Sequence, residues 1–102
     1  MIERADYEAE IQKMVKLCLQ KNSDYANSED FLKNFKRSKN FGLNPFIGVL
    51  IRMEDKMSRI ENIVKSGQTN VDDEKLEDSL RDLANYAIIA VLCLMEERDH
   101  AS

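Results

Sequence analysis

Residues 52–59 place three cationic side chains along one line at helical spacing. On a helix of 100° per residue, Arg52 and Arg59 lie within about 20° of each other, and Lys56 flanks them. A guanidinium forms forked hydrogen bonds with phosphate or carboxylate, and an ammonium adds a compact positive charge. The line therefore predicts a binding site for phosphate groups. The alternative is a set of ordinary surface ion pairs with Glu54 and Asp55 on the same helix, which contribute little to stability.

Residues 78–86 carry a second polar ridge, with Asp78, Asp82 and Asn85 at i, i+4 and i+7. Two carboxylates four residues apart are a common way to hold Mg²⁺, with waters completing the octahedron. An ion-pair network competes with this interpretation, because a buried carboxylate needs a partner and the Arg52 line can supply one. The i, i+4, i+7 spacing is compatible with both a Mg²⁺ site and an ion-pair network.

A polar break between two predicted helices adds further candidates. It offers an ammonium, an amide, a carboxylate and an aromatic ring from Lys21, Asn22, Asp24 and Tyr25. The ring of Tyr25 suits stacking on a base, and the amide or carboxylate suits the polar edges of that base. Asn34 adds a second amide beside an aromatic residue. The alternative is a turn that links two helices, with Tyr25 packed as a lid.

The composition describes one ordered, helix-rich domain over residues 1–102. Hydrophobic residues make up 43% and charged residues 33%, with one proline and three glycines. The net charge of −4 argues against duplex nucleic acid as a partner, because its backbone requires a basic face. The longest apolar run, residues 86–95, is about half a bilayer span, so no membrane segment is expected.

Cysteine usage indicates a cytoplasmic protein. Cys18 and Cys93 lie among apolar residues without CxxC spacing, which is typical of reduced core thiols. Early charged residues interrupt any apolar run that a signal peptide needs. The sequence has no Gly-rich phosphate loop, Ser/His/Asp set or zinc-ligand spacing, and no catalytic residue is predicted.

Hydrophobic periodicity predicts an all-α fold, a small bundle of three long helices and one short helix. The expected helices span residues 3–21, 28–38, 45–66 and 73–97. Ser28 is the expected N-cap of the short helix, and Gly42 ends that region. Asn44 before Pro45 is a start signal for the next helix, and Gly67 is its stop signal.

From Tyr86 onward the last helix is apolar around nearly its full circumference. The residues responsible are Ile88, Ile89, Val91, Leu92, Leu94 and Met95. A helix that is apolar on all sides must be buried on all sides, and 102 residues cannot surround it. We therefore expect a dimer or tetramer that assembles through this C-terminal helix.

Taken together, these motifs resemble a family of small phage proteins, the nucleotide modification associated domain type 1. The resemblance covers about residues 15–95 and rests on Lys21-Asn22-x-Asp24-Tyr25, Asn34-Phe35, Gly42, Gly48, Arg52-x-x-Asp55-Lys56-x-x-Arg59-x-x-Asn62 and Asp78-x-x-x-Asp82-Leu83-x-Asn85-Tyr86. It implies a phage or prophage origin, the cytoplasm of an infected bacterial host, an oligomeric all-α bundle and a nucleotide ligand.

The family is similar to the MazG-like all-α nucleoside triphosphate pyrophosphohydrolases, which hold Mg²⁺ with an EExxE set and an ExxD set on successive helices. Here the first matching helix offers Asp55 as its one suitably placed acid, with three cations around it, while Asp78 and Asp82 stand for the second set. Cations that already neutralise carboxylates weaken metal binding. The departure favours a binder that needs no cofactor over a hydrolase.

The leading expectation is a non-catalytic phage protein that sequesters a nucleotide or cyclic oligonucleotide signal of bacterial anti-phage defence. Its expected ligand-binding residues are Lys21, Asn22, Asp24, Tyr25, Asn34, Arg52, Lys56, Arg59 and Asn85. The alternative is a Mg²⁺-dependent pyrophosphohydrolase of nucleoside triphosphates or modified dNTPs, with Asp55, Asp78 and Asp82 as metal ligands. A third possibility is a structural protein whose ridges form interhelical ion pairs. We expect Asp82 to pair with Arg52 or Arg59, because cations outnumber acids on the facing helix.

Overall fold

The regular elements that the structure describes are all helical. The computed structural model describes residues 1–21, 29–67 and 74–101. The elements in chain order are α1 (Arg4–Lys21), a 3₁₀ helix (Lys33–Phe41), α2 (Pro45–Ser66) and α3 (Glu74–Ala101). No strand occurs in these ranges, and the predicted arrangement of three long helices and one short helix is confirmed. None of the helices described is long and apolar enough to cross a membrane.

α2 has the bounds that its end signals predict. The Asn44 side-chain oxygen accepts a hydrogen bond from the Phe46 N–H at 2.7 Å, and Pro45 occupies the first turn. Pro has no N–H to leave unsatisfied there, so it is well placed at the start of a helix. Gly67 follows the last residue with a left-handed φ of 68°, a conformation that costs glycine little.

The short helix differs from its predicted bounds. It is a 3₁₀ helix that begins at Lys33, after a turn in which the Asp30 carboxylate accepts the N–H two residues later at 3.0 Å. Because this Asx turn fixes the chain up to residue 32, the helix starts later than predicted. It ends at Phe41, three residues beyond its predicted end, and Gly42, which was expected to end the region, caps it with φ of 76°. Ser28, the expected N-cap, lies outside the described residues.

α2 and α3 pack antiparallel and form the main core with the 3₁₀ helix. The direction follows from two contacts, because Asn44 reaches Glu97 at 3.1 Å while Lys56, further along α2, reaches Asp82 at 3.0 Å. The buried core cluster consists of Leu32, Phe35, Val49, Ile89, Ala90 and Cys93. α1 adds Cys18 as its one buried residue. Both cysteines are thus buried thiols, as predicted.

α3 extends beyond its predicted end at residue 97 and is buried on one side only. The residues of its apolar half that enter the core are Ile89, Ala90 and Cys93. The residues on the outward side, about half exposed, are Ile88, Val91 and Met95. One copy of the chain therefore does not cover this helix.

Candidate functional site

α2 carries its polar and apolar surface residues on opposite sides of the core line that contains Val49. On a helical projection one side holds Arg52, Asp55, Arg59 and Asn62. The other holds Leu50, Met57 and Val64. We call the first side the polar flank of α2. The two arginines of the predicted cation line belong to this flank, whereas Lys56 lies between the flank and the core line.

The 3₁₀ helix packs against the polar flank at Gly48. A Cβ at this position would lie 2.8 Å from the Ser38 Cβ and 3.0 Å from the Ser38 Oγ. Such distances are too short for real side chains, so the missing side chain is what allows the 3₁₀ helix to approach. The group that approaches α2 at Gly48 is therefore the side chain of Ser38.

Arg52 lies against the aromatic core. Its guanidinium carbon is 4.8 Å from the centroid of the Phe35 ring, a cation–π contact. Phe35 in turn packs edge-on against Tyr86, with ring centroids 6.4 Å apart. Asn34, the residue before Phe35, is half-buried. The ring of Phe35 thus gives Arg52 a defined position at the surface of the core.

Lysines from two helices meet the Asp82 carboxylate of α3. Oδ2 lies 3.0 Å from Nζ of Lys56, and Oδ1 lies 3.6 Å from Nζ of Lys21. Two predicted ligand-binding lysines and one predicted acid therefore come together where α1, α2 and α3 converge. Asn85, one turn further along α3, is half-buried.

The expected pairing of Asp82 with Arg52 or Arg59 is wrong, and helix geometry explains why. Lys56 follows the buried Val49 by seven residues, so its side chain leaves α2 on the side that packs against α3. Both arginines lie further round the helix, on the polar flank. The facing of the two ridges was predicted, but the cation that crosses between them is a lysine.

Arg59 lies in an open hollow of about 630 Å³ beside α2. The described residues that line it are Asp55, Lys56, Ser58, Arg59, Asn62, Ile63 and Ser66. Within the described ranges Arg59 forms no ion pair, although Asp55 lies one turn before it. Asn62 also lines this hollow, although it was not among the predicted ligand-binding residues, and its spacing of i+3 from Arg59 was the available signal.

The acids of the alternative metal site have cationic partners in two of three cases. Asp82 faces two lysines, and Asp78 lies 3.4 Å from the Arg81 guanidinium. Asp55 lines the hollow that contains Arg59. Among the residues that the structure describes, no group of three or more His, Cys, Asp and Glu side chains is arranged to hold a metal ion. Oxygens that already face ammonium and guanidinium groups do not fit Mg²⁺ well.

Three predicted ligand-binding residues, Asn22, Asp24 and Tyr25, lie outside the described residues. Lys21, the last residue of α1, directly precedes them.

Two cationic side chains that join distant parts of the chain, Arg81 and Lys36, were not predicted from the sequence. Arg81 bonds Glu10 of α1 at 2.5 Å, and this hydrogen bond lowers the pKa of the Glu10 carboxyl below its ordinary value. Lys36 lies 2.6 Å from Asp30 and 2.5 Å from Glu96. The bond from Lys36 lowers the pKa of Asp30, and the two carboxylates raise the pKa of Lys36. Glu10 lies 71 residues from Arg81, and Glu96 lies 60 residues from Lys36. No local sequence pattern predicts pairs that are so far apart in the chain.

Comparison with known proteins gives a single kind of match. The family model described as nucleotide modification associated domain 1 matches residues 21–94. No curated protein and no solved structure matches the chain. The matched span begins at Lys21 and includes the polar flank, Asp82 and Asn85.

Proposed function

We propose, from the premise that this chain belongs to the nucleotide modification associated domain 1 family, that it binds a nucleotide whose phosphates lie on the polar flank of α2. The single observation that carries the proposal is Arg59, an exposed guanidinium in an open hollow without an ion pair to any described residue. The family description supports a nucleotide as the ligand, and Arg59 supplies a cation for its phosphate.

The groups around Arg59 suit an anionic ligand. Ser58 and Asn62 bring a hydroxyl and an amide to the same hollow, and both can donate hydrogen bonds. A guanidinium bonds two phosphate oxygens at once, and such charge-assisted bonds are stronger than neutral ones. Asp55 also lines the hollow, and its carboxylate is placed to accept from a ribose hydroxyl or a base amino group.

Lys56 adds a second cation to the hollow, and Arg52 extends the proposed site beyond it. Lys56 forms an ion pair with Asp82, and its ammonium has three N–H donors that can also serve a phosphate. Arg52 is exposed and held over the Phe35 ring. From Arg52 to Arg59 the row rises about 10 Å along the helix, which accommodates more than one phosphate group.

The side chains of the proposed site favour binding of the nucleotide without its hydrolysis. The Asp82 carboxylate faces two lysines, so it is poorly placed to coordinate Mg²⁺ as well. We propose accordingly that the chain sequesters its ligand, a nucleotide or cyclic oligonucleotide signal, and does not hydrolyse it.

Calorimetric titration against ATP, dATP and a cyclic dinucleotide tests the proposal, with and without chelator. Arg59→Ala should weaken binding about 10-fold to 150-fold, because it removes a charge-assisted hydrogen bond of about 1.5–3 kcal/mol. Arg59→Lys should recover part of the loss, since it keeps the charge without the fork.

Lys65→Ala is the matched control, because Lys65 is an exposed cation of the same helix that does not line the hollow. Equal losses for Arg59→Ala and Lys65→Ala, or no titrant tighter than millimolar, would contradict the proposal. Release of pyrophosphate with Mg²⁺ that chelator stops would instead establish the hydrolase.

A further inference from the structure

The 3₁₀ helix has a three-residue repeat in its sequence. Residues 33–41 read Lys-Asn-Phe, Lys-Arg-Ser and Lys-Asn-Phe, so each third of the helix begins with a lysine. A 3₁₀ helix has about three residues per turn, and side chains three positions apart lie one above the other. The repeat therefore sorts the side chains into three rows that run along the helix.

One of these rows packs on the protein, and two lie outside the core. Phe35 belongs to the core cluster and Ser38 packs on Gly48. Phe41, the third member of their row, is 85% exposed. The other two rows contain lysine, arginine and asparagine only. Their members are Lys33, Lys36, Lys39, Asn34, Arg37 and Asn40. We call these six residues together with Phe41 the basic face.

The basic face carries four positive charges and no negative one, in a chain whose net charge is −4. Lys36 bonds Asp30 at 2.6 Å and Glu96 at 2.5 Å, which neutralises it and holds its row against α3. Glu97, the next acid of α3, accepts a hydrogen bond from Asn44. Within the described ranges, the cations of the face that form no ion pair are Lys33, Arg37 and Lys39. Three positive charges are thus left for an anionic partner.

The spacing of these charges fits the backbone of a single nucleic-acid strand. A 3₁₀ helix rises about 6 Å per turn, which is similar to the distance between successive phosphates of an extended strand. Lys33 and Lys39 lie two turns apart, and Arg37 lies between them along the axis. Proteins that bind single strands combine such a cationic track with aromatic rings on which bases stack. Phe41 supplies an exposed ring at one end of the track.

We propose that the basic face binds single-stranded nucleic acid, with Lys33, Arg37 and Lys39 on its phosphates and Phe41 stacked on a base. The amide of Asn40 lies beside these groups in the sequence and can donate to phosphate or sugar oxygens. An anionic membrane would also attract the cations, but exposed asparagines do not favour insertion of Phe41 into lipid. The basic face shares no residue with the hollow around Arg59, so it does not depend on the nucleotide proposed there.

Fluorescence anisotropy of a labelled oligothymidine strand tests the cationic track. The logarithm of the affinity should fall against the logarithm of the salt concentration with a slope of about −2, because each of three phosphate contacts contributes about 0.7. Lys39→Ala should weaken binding several-fold and reduce the slope by about 0.7, and so should Lys33→Ala or Arg37→Ala. Lys65→Ala is the matched control, because it removes the same charge from an exposed site on α2. It should change neither the affinity nor the slope.

Substitutions of Phe41 test the stacking contact. Phe41→Leu should weaken binding about 5-fold to 100-fold, because leucine is apolar but offers no ring to a base. Phe41→Tyr keeps the ring and should bind like wild type. Neither variant should change the salt slope, which depends on the cations alone. A duplex of the same sequence should bind more weakly than the strand, since its paired bases are not open to Phe41. Both variants should keep the wild-type circular dichroism spectrum, because Phe41 is exposed.

Two further measurements separate the basic face from other binding sites. Lys39→Ala should leave the calorimetric titration of nucleotides unchanged, so either proposed site can fail without the other. Vesicles of anionic phospholipid should not displace the strand. Vesicles that displace it and still bind Phe41→Leu would overturn the proposal in favour of a membrane surface. A Kd for the strand weaker than millimolar, equal losses for Lys39→Ala and Lys65→Ala, or wild-type strand binding by Phe41→Leu would also overturn it.

Discussion

The Asp82 carboxylate contacts lysines from two different helices, so a single charge joins α1, α2 and α3. Its side chain is 21% exposed, that of Lys56 26% and that of Lys21 50%. An ion pair of this partial burial lies between exposed pairs, which contribute up to about 1 kcal/mol, and buried pairs, whose disruption costs about 3–5 kcal/mol. Asp82 is therefore important for packing without being indispensable to it.

Asp82→Asn should lower the free energy of unfolding by about 1–2 kcal/mol, because both lysines lose their carboxylate but keep access to water. The corresponding fall in melting temperature is about 5–10 °C. Urea unfolding followed by circular dichroism measures the change. Asp55→Asn is the control, because Asp55 is exposed and forms no ion pair with a described residue. Equal stability of Asp82→Asn and wild type would show that the lysine contacts contribute nothing.

For single residues, the sequence predicted the helix face on which a side chain lies better than it predicted the ion-pair partner of that side chain. Helical spacing placed Lys56 and Asp82 on ridges that face each other, and the structure pairs them. The same spacing predicted an arginine as the partner, because Arg52 and Arg59 lie only about 40° to 60° round α2 from Lys56. Which of the three cations faces α3 depends on how the two helices pack. Lys36 and Glu96 were missed because their contact depends on the fold of the 60 residues between them.

Among the elements, the bounds of α2 were predictable and those of the 3₁₀ helix were not, for a physical reason. The ends of α2 depend on local chemistry, a capping amide before a proline and a glycine after the last turn. The position of the 3₁₀ helix depends on tertiary packing, because Ser38 packs so closely on Gly48 that a Cβ there would not fit. Local propensity carries no information about that distance.

Gly48→Ala should destabilise the protein although alanine favours helix. The gain in helix propensity is about 1 kcal/mol, whereas forcing a Cβ against Ser38 at 2.8 Å costs about 1–3 kcal/mol. Ser38 has little freedom to move, because its hydroxyl donates to the Leu43 carbonyl at 3.1 Å. Denaturant titration measures the net effect.

A double-mutant cycle isolates the steric cause. In a Ser38→Gly background the blocking side chain is gone, so Gly48→Ala should become neutral or stabilising there. A loss of stability of the same size in both backgrounds would mean that the contact with Ser38 is not the reason.

The attachment of α1 to α3 should weaken in acid. Arg81 holds the pKa of Glu10 below its ordinary value of 4.5, so the pair stabilises the fold fully above that pH. Stability is then lost as the pH falls through the lowered pKa of the folded state. Glu10→Gln cannot titrate and should have a shallower decline between about pH 5 and pH 3. Thermal melts across this range provide the measurement.

Glu61→Gln is the control for that series, because Glu61 is exposed and has no ion pair within the described part of the chain. It should follow the wild-type pH profile. Identical profiles for Glu10→Gln and wild type would show that the bond to Arg81 does not contribute to stability in acid.

Over the whole molecule, burial is distributed unevenly between the helices. α2, α3 and the 3₁₀ helix share the core cluster that contains Cys93, whereas α1 buries only Cys18. Segments with few buried contacts open at lower free energy than the global unfolding transition. α1 is therefore expected to separate from α3 while the rest of the fold stays intact.

Timed reaction of the native chain with a thiol reagent should label Cys18 before Cys93. Burial raises the pKa of both thiols, so neither is a ready nucleophile until its surroundings open. Cys18 requires only the departure of α1, whereas Cys93 requires opening of the core. Mass spectrometry of the labelled peptides gives both rates in one experiment, and labelling in denaturant shows whether the two thiols react equally once exposed. Equal native rates would mean that α1 opens only with the whole molecule.

The stack of Arg52, Phe35 and Tyr86 gives the protein a built-in optical reporter. The chain has no tryptophan, so its near-ultraviolet emission comes from tyrosine. Tyr86 packs against the ring that carries the Arg52 guanidinium on its face. A phosphate that drew Arg52 away from Phe35 would change the electric field at Tyr86. Ligand arrival could then be followed by fluorescence, without attaching a dye to the protein.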